Sequence, residues 1–214
     1  MTGVQTCALP ICILTAVLKF RACRDNIRVA TGAMEVRGGN GYIEDWVNSR
    51  LIRDAHIGVL WEGTSNINAL DMINRAVAKS GGHETLGRAL KAKLQAATAA
   101  PAKFRAEISK LIDRAVAFAG DVASKPKHER LARLATDALY NVASAALMTW
   151  EGATAGANGH DARRMILARM VVEHRLRADD PLTIPAYDWE EEAITALLDP
   201  APISLKRAGD IVTA

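Results

Sequence analysis

Apolar and small residues recur along most of this chain at intervals of three and four, the spacing of one face of an α-helix. From about Ile13 to Val36 the line runs through Leu14, Val17, Leu18, Ala22, Ile27, Ala30 and Met34, which predicts a helix with one buried stripe. The stretch RGGNGY (37–42) ends it, because its glycines can take left-handed or extended backbone. A second helix is predicted over 47–57. WEGTSN (61–66) is a break with Thr64 or Ser65 as the N-cap, and a third helix follows over 66–78, expected to bury Ile67, Leu70, Ile73 and Val77. Beyond a second glycine stop, KSGGHE (79–84), the pattern predicts alanine-rich helices near 85–99, 101–123, 127–154 and 160–178. A proline-containing link, DDPLTIPAYD (179–188), then leads to helices at 188–198 and after Pro202. Period-two alternation never persists, so the expected fold class is all-α, a bundle with an appended helical domain.

The shift in composition at the second stop places a domain boundary there, giving 12–79 and 80–214. Residues 1–11 stand apart. TGVQTCALPI is the translation of ACTGGAGTTCAGACGTGTGCTCTTCCGATC, which resembles a short-read sequencing adapter, so this segment is expected to be a sequence artefact and the natural chain to begin upstream. Its apolar run lacks a basic flank and a cleavage site, and it is too short to span a bilayer.

Charge narrows the partners. The net formal charge is +3; residues 1–79 carry nine Lys/Arg against seven Asp/Glu, and residues 80–214 carry eighteen against seventeen. Neither half is a basic arm, so nucleic acid is not an expected partner on charge grounds. Cys7, Cys12 and Cys23 are odd in number and match no zinc or redox spacing, and the five histidines are scattered. Free thiols in a reducing, cytoplasmic setting and no metal are the expectation.

Glu62 is the residue that invites chemistry. It lies between Trp61 and Gly63 after an apolar run, surroundings that raise a carboxylate's pKa toward that of a working base. Locally, a structural role at the start of the next helix outweighs this reading. The glycines of GGNG alone are an ordinary helix terminator; no strand precedes them, as a dinucleotide-binding turn would require.

Taken together, AMEVRGGNGYIEDWVNSRLIRDAHIGVLWEGTSNINALDMI (33–73) resembles the C-terminal signature of the acyl-CoA dehydrogenase family. In that family a Gly-Gly-x-Gly-aromatic turn is followed, across a helix ending in Arg-Asp, by aromatic-Glu-Gly-Thr. Here these are Gly38, Gly39, Gly41 and Tyr42, then Arg53 and Asp54, then Trp61, Glu62, Gly63 and Thr64. The resemblance extends from Ile13 to Val77. It implies FAD-dependent α,β-dehydrogenation of an acyl-CoA thioester, with Glu62 as the base that removes the α-proton. It further implies that Trp61 and Gly63 flank the substrate, and that Thr64 and Asn66 contact FAD. Gly38 and Gly39 would approach the FAD of a neighbouring subunit in a homo-oligomer, a dimer or tetramer. An electron-transfer flavoprotein or similar acceptor would take up the electrons. Where many members have a Gln that helps hold the cofactor, this chain has Glu35, which cannot donate when ionised. Because the resemblance covers only about the last third of the family core, the isolated chain is expected to be inactive.

Residues 80–214 resemble the helical extension of longer members, including alkylation-response flavoproteins of the AidB type, which are associated with DNA. Arg163, Arg164, Arg169, Arg175 and Arg177 would supply the basic face of that alternative. A structural or oligomerisation role for the extension is preferred, with Tyr140, Met148 and Trp150 on packing surfaces.

Overall fold

The computed structural model describes residues 3–61, 63–177, 182 and 188–214, with side chains from residue 11 onward. The expected base, Glu62, and nearly all of the proline-containing link lie outside the described residues. Everything regular among the described residues is helical, with no strand.

The chain falls into two compact units: residues up to His83 with Phe118–Tyr140, and Glu84–Ala117 with Asn141–Ala214. The first holds α1 (Gly3–Val36), the one-turn α2 (Gly39–Tyr42), α3 (Asn48–Trp61) and α4 (Ser65–Asp71). α4 continues as a wider π-helical segment, Met72–Lys79. Helix α3 runs one turn further than its periodicity predicts. α1 is the hub, packing against α2, α3, α4 and the π-helical segment. Its buried line is Ile13, Val17 and Phe20, which shares only Val17 with the predicted stripe: Leu18 and Ala22 face outward, while Leu14, Ile27, Ala30 and Met34 are half-buried. A stripe drawn for one neighbour cannot describe a helix flanked on several sides.

A similar correction applies to Ile67, which is 61 % exposed, while Ala69, Met72, Ile73 and Val77 fill the core. Ile67 precedes Ala69 by two residues, about 200° around a helix, so burying Ala69 turns Ile67 away.

Arg21 fixes the segment 118–140 onto α1. Its guanidinium donates to both oxygens of Asp25 (3.1 and 2.6 Å) and to Asp137 (2.6 Å), and lies 5.6 Å from the Tyr140 ring centroid. Burial opposes the charge on Arg21, but the two carboxylates outweigh it and hold its pKa above the ordinary value.

The second unit takes most of α5 (Gly82–Ala96), the greater part of α6 (Ala102–Ser124) and the second half of α7 (Ala132–Ala157). It also contains α8 (Arg163–Val171), continued by a π-helical segment Val172–Leu176, then α9 (Asp188–Leu198) and α10 (Leu205–Thr213). A 3-10 stretch, Pro126–Leu131, joins α6 to α7 within the first unit. Leu86, Leu90 and Leu94 of α5 and Phe104, Ile108 and Ile112 of α6 are buried at three- and four-residue spacing. Gly152 lets α7 cross the start of α8 closely; a Cβ there would sit 2.6 Å from the Met165 nitrogen. Asp161 ties that start to the approach of α10, accepting from the backbone N–H of Arg163 (3.0 Å) and Ile203 (3.1 Å) and from the Arg163 side chain. Desolvation pushes its carboxyl up, yet these donors prevail and hold it below the usual range.

Candidate active site

The sequence-predicted residues sit at the two ends of the α1–α3 pair. Gly38 takes φ +57°, a left-handed conformation open mainly to glycine, and caps α2. Neither Gly38 nor Gly39 has a heavy atom within 4 Å of where a Cβ would lie, so their backbone faces open space. Gly41 is the opposite case: a Cβ there would lie 2.3 Å from the Met34 carbonyl oxygen, and only glycine lets the turn close onto α1. Beyond the turn, Arg53 donates to both oxygens of Glu44 (2.7 and 3.2 Å), and the Ser49 hydroxyl donates to the same carboxylate. The Arg53 guanidinium holds the Glu44 carboxyl below its ordinary value, and Glu44 in turn raises Arg53. The Arg-Asp pair of the motif thus acts in part as a brace for the turn, with Asp54 near Arg50 at 3.5 Å.

At the other end, α3 is described as far as Trp61, whose side chain is 84 % exposed. Gly63 takes φ +93°, again a glycine conformation, and its carbonyl accepts a hydrogen bond from Asn68 Nδ2 at 2.9 Å. Asn68 was not singled out by sequence; its signal is an Asn five residues past a chain-reversing Gly, placed to bind back. Thr64 is the N-cap of α4, but its hydroxyl makes no capping bond. The side chains of Thr64 and Asn66 are exposed and have no hydrogen-bond partner among the described residues. Their donors and acceptors are therefore available to a bound group, as a cofactor contact requires.

The two ends do not meet. Gly58 of α3 packs on Cys23 of α1, and Arg24 Nε donates to Ser65 Oγ at 2.9 Å, so α3 runs antiparallel to α1 and returns to its middle. From Arg24 to Gly38 is about 20 Å at ~1.5 Å per helical residue. Within one chain, Gly38 and Gly39 are thus separated from Trp61, Gly63, Thr64 and Asn66 by about 20 Å.

Four of the five arginines that could form a basic face on the extension are ion-paired. Arg163 meets Asp161, Arg164 meets Glu151 at 2.7 Å, Arg169 meets Glu173, and Arg177 meets Glu173 and Glu107. Among the described residues no group of His, Cys, Asp and Glu could hold a metal ion, and no helix is long and apolar enough to cross a membrane.

Residues 9–78 match the family described as acyl-CoA dehydrogenase, C-terminal domain. Over 66 residues the chain is 36 % identical to acyl-CoA dehydrogenase family member 11 of Caenorhabditis elegans, covering 31 % of this chain and 11 % of that protein. Over 77 residues it is 34 % identical to putative acyl-CoA dehydrogenase AidB of Escherichia coli, covering 36 % of this chain and 14 % of that one. Over 62 residues it is 37 % identical to the short-chain specific acyl-CoA dehydrogenase of Clostridium acetobutylicum, covering 29 % and 16 %. The chain thus spans less than a fifth of each of these relatives. No solved structure matches it.

Proposed function

With residues 9–78 as a C-terminal segment of the acyl-CoA dehydrogenase family, we propose that they work within a longer FAD-dependent enzyme that desaturates an acyl-CoA thioester between Cα and Cβ. The observation that carries this reading is the break between α3 and α4. There a left-handed Gly63, held by Asn68, sits between an exposed Trp61 and the unpartnered polar side chains of Thr64 and Asn66.

Glu62 is the proposed base. An α-proton beside a thioester is weakly acidic, so its removal requires a carboxylate placed within hydrogen-bond reach and shielded from water. Gly63 has no side chain to obstruct a ligand lying along it, and its φ of +93° is one that glycine adopts without strain. The backbone N–H at position 62 would donate to the thioester carbonyl as negative charge develops there. Thr64 and Asn66 would hold FAD, which when bound supplies the acceptor for the β-hydride. Trp61 would wall the acyl chain. Gly38 and Gly39 would serve the site of a neighbouring subunit, in keeping with their distance from Trp61 in their own chain. Electrons would pass on to an electron-transfer flavoprotein or a similar acceptor, and the enzyme would work in the cytoplasm. The ion pairing of Arg163, Arg164, Arg169 and Arg177 argues for a packing role of residues 80–214 over DNA association.

The test uses the longer protein containing this segment. Acyl-CoA thioesters are added without oxygen and the flavin absorbance at about 450 nm is followed. Bleaching is expected, and Glu62→Gln should abolish it while leaving flavin bound. Flavin that no thioester reduces would overturn the dehydrogenase reading, and loss of flavin in Glu62→Gln would make Glu62 structural.

A further inference from the structure

We infer that Arg24, Arg130 and Arg133 form a binding site for a phosphorylated anion, where α1 and α4 face the 3-10 stretch and the first turn of α7. Arg21 and Arg24 lie three apart on α1, and Arg130 and Arg133 three apart across the 3-10-to-α7 junction, so each pair presents one face. Two concavities of about 310 and 330 Å³ both have Arg130 and Arg133 in their walls. Asn66 and Leu70 complete the first, and Phe20, Arg24 and Leu134 line the second.

The charges are unevenly engaged. Arg21 is held by Asp25 and Asp137. Arg24 donates through Nε to Ser65 and has no carboxylate partner, and Arg130 and Arg133 have no partner among the described residues. Against these three guanidiniums the walls offer Asp137, already bound to Arg21, and Glu129. Planar guanidinium forks match phosphate oxygens in pairs, which a lysine cluster would not do. The apolar walls and the Asn66 amide leave room for an organic group beside the phosphates, in cavities at the small end of the ligand-binding range. Asn66 is also one of the residues proposed above to contact FAD. The inference does not rest on that proposal, since Arg130 and Arg133 lie beyond residues 9–78.

The 214-residue chain is titrated with inorganic pyrophosphate by calorimetry at low salt, where screening is weakest. Saturable binding is expected. It should weaken at least about tenfold in the double variant Arg130→Ala/Arg133→Ala and tighten about two- to fivefold in Glu129→Gln. Arg175→Ala, an exposed arginine elsewhere, should leave it unchanged. Far-UV circular dichroism checks that the variants fold; if the double variant does not, Glu129→Gln decides alone. No saturable binding, equal binding by a folded double variant, or no tightening in Glu129→Gln would overturn the site. Binding of duplex DNA but not of pyrophosphate would also overturn it. FAD that displaces pyrophosphate assigns the anion to the flavin diphosphate, and FAD that does not assigns it to a separate phosphorylated ligand; both outcomes uphold the site.

Discussion

Gly41 shows how little freedom one residue can leave. A methyl group there would stand 2.3 Å from the Met34 carbonyl oxygen, so either α1 or the turn must shift. Gly41→Ala should destabilise the chain by at least about 2 kcal/mol, read as a lower urea midpoint with an unchanged slope. Gly39→Ala meets nothing and should be near neutral for folding, the contrast that marks Gly39 as free for an external contact. The chemical reading proposed for the WEGTSN break rests on its pattern, since a lone Glu before a Gly is most often structural. The role of Asn68 needed the structure, because its bond to the Gly63 carbonyl depends on a backbone conformation that no periodicity encodes.

The helices themselves were legible, because apolar spacing and glycine stops act locally. Asp188–Leu198 coincides with its predicted span, and most other bounds fall within a few residues. Which face turns inward was harder to read, because it depends on distant neighbours: Leu18 and Ile67 look like core residues in sequence and are exposed. Two π-helical segments, Met72–Lys79 and Val172–Leu176, also alter the period midway through an apolar run. Between elements, Asp161 is the joint that responds to acid. Its carboxyl is held below the ordinary value in the folded chain, so its stabilisation is complete above the unfolded pKa of about 3.9 and is lost as pH falls through the folded value. Asp161→Asn should therefore melt below the parent at pH 7, with the gap closing as pH drops below about 4.

At the scale of the molecule, the compact units are not two runs of chain. Phe118–Tyr140 belongs with α1 through Arg21, while the residues on either side of it belong to the second unit. A polypeptide of residues 80–214 keeps Val122, Ala135, Thr136 and Leu139 but lacks α1, the helix that Arg21 ties to this segment. It should melt at least about 5 °C below the full chain by circular dichroism. Most of the exposed large apolar residues lie between Leu18 and Ile67, including Leu60 and Trp61. A surface of this kind is suited to being covered in an assembly.

The separation of Gly38 from Trp61 by the length of the α1–α3 pair has a genetic consequence. If a turn from one chain completes the site of another, a chain damaged at Gly38 and a chain damaged at Glu62 are defective in different currencies. Each is silent alone. Co-expressed, they would form mixed assemblies in which an intact Glu62 from the first meets an intact turn from the second. Activity recovered from two dead alleles would be intragenic complementation, and its absence in verified mixed assemblies would place both defects in one site.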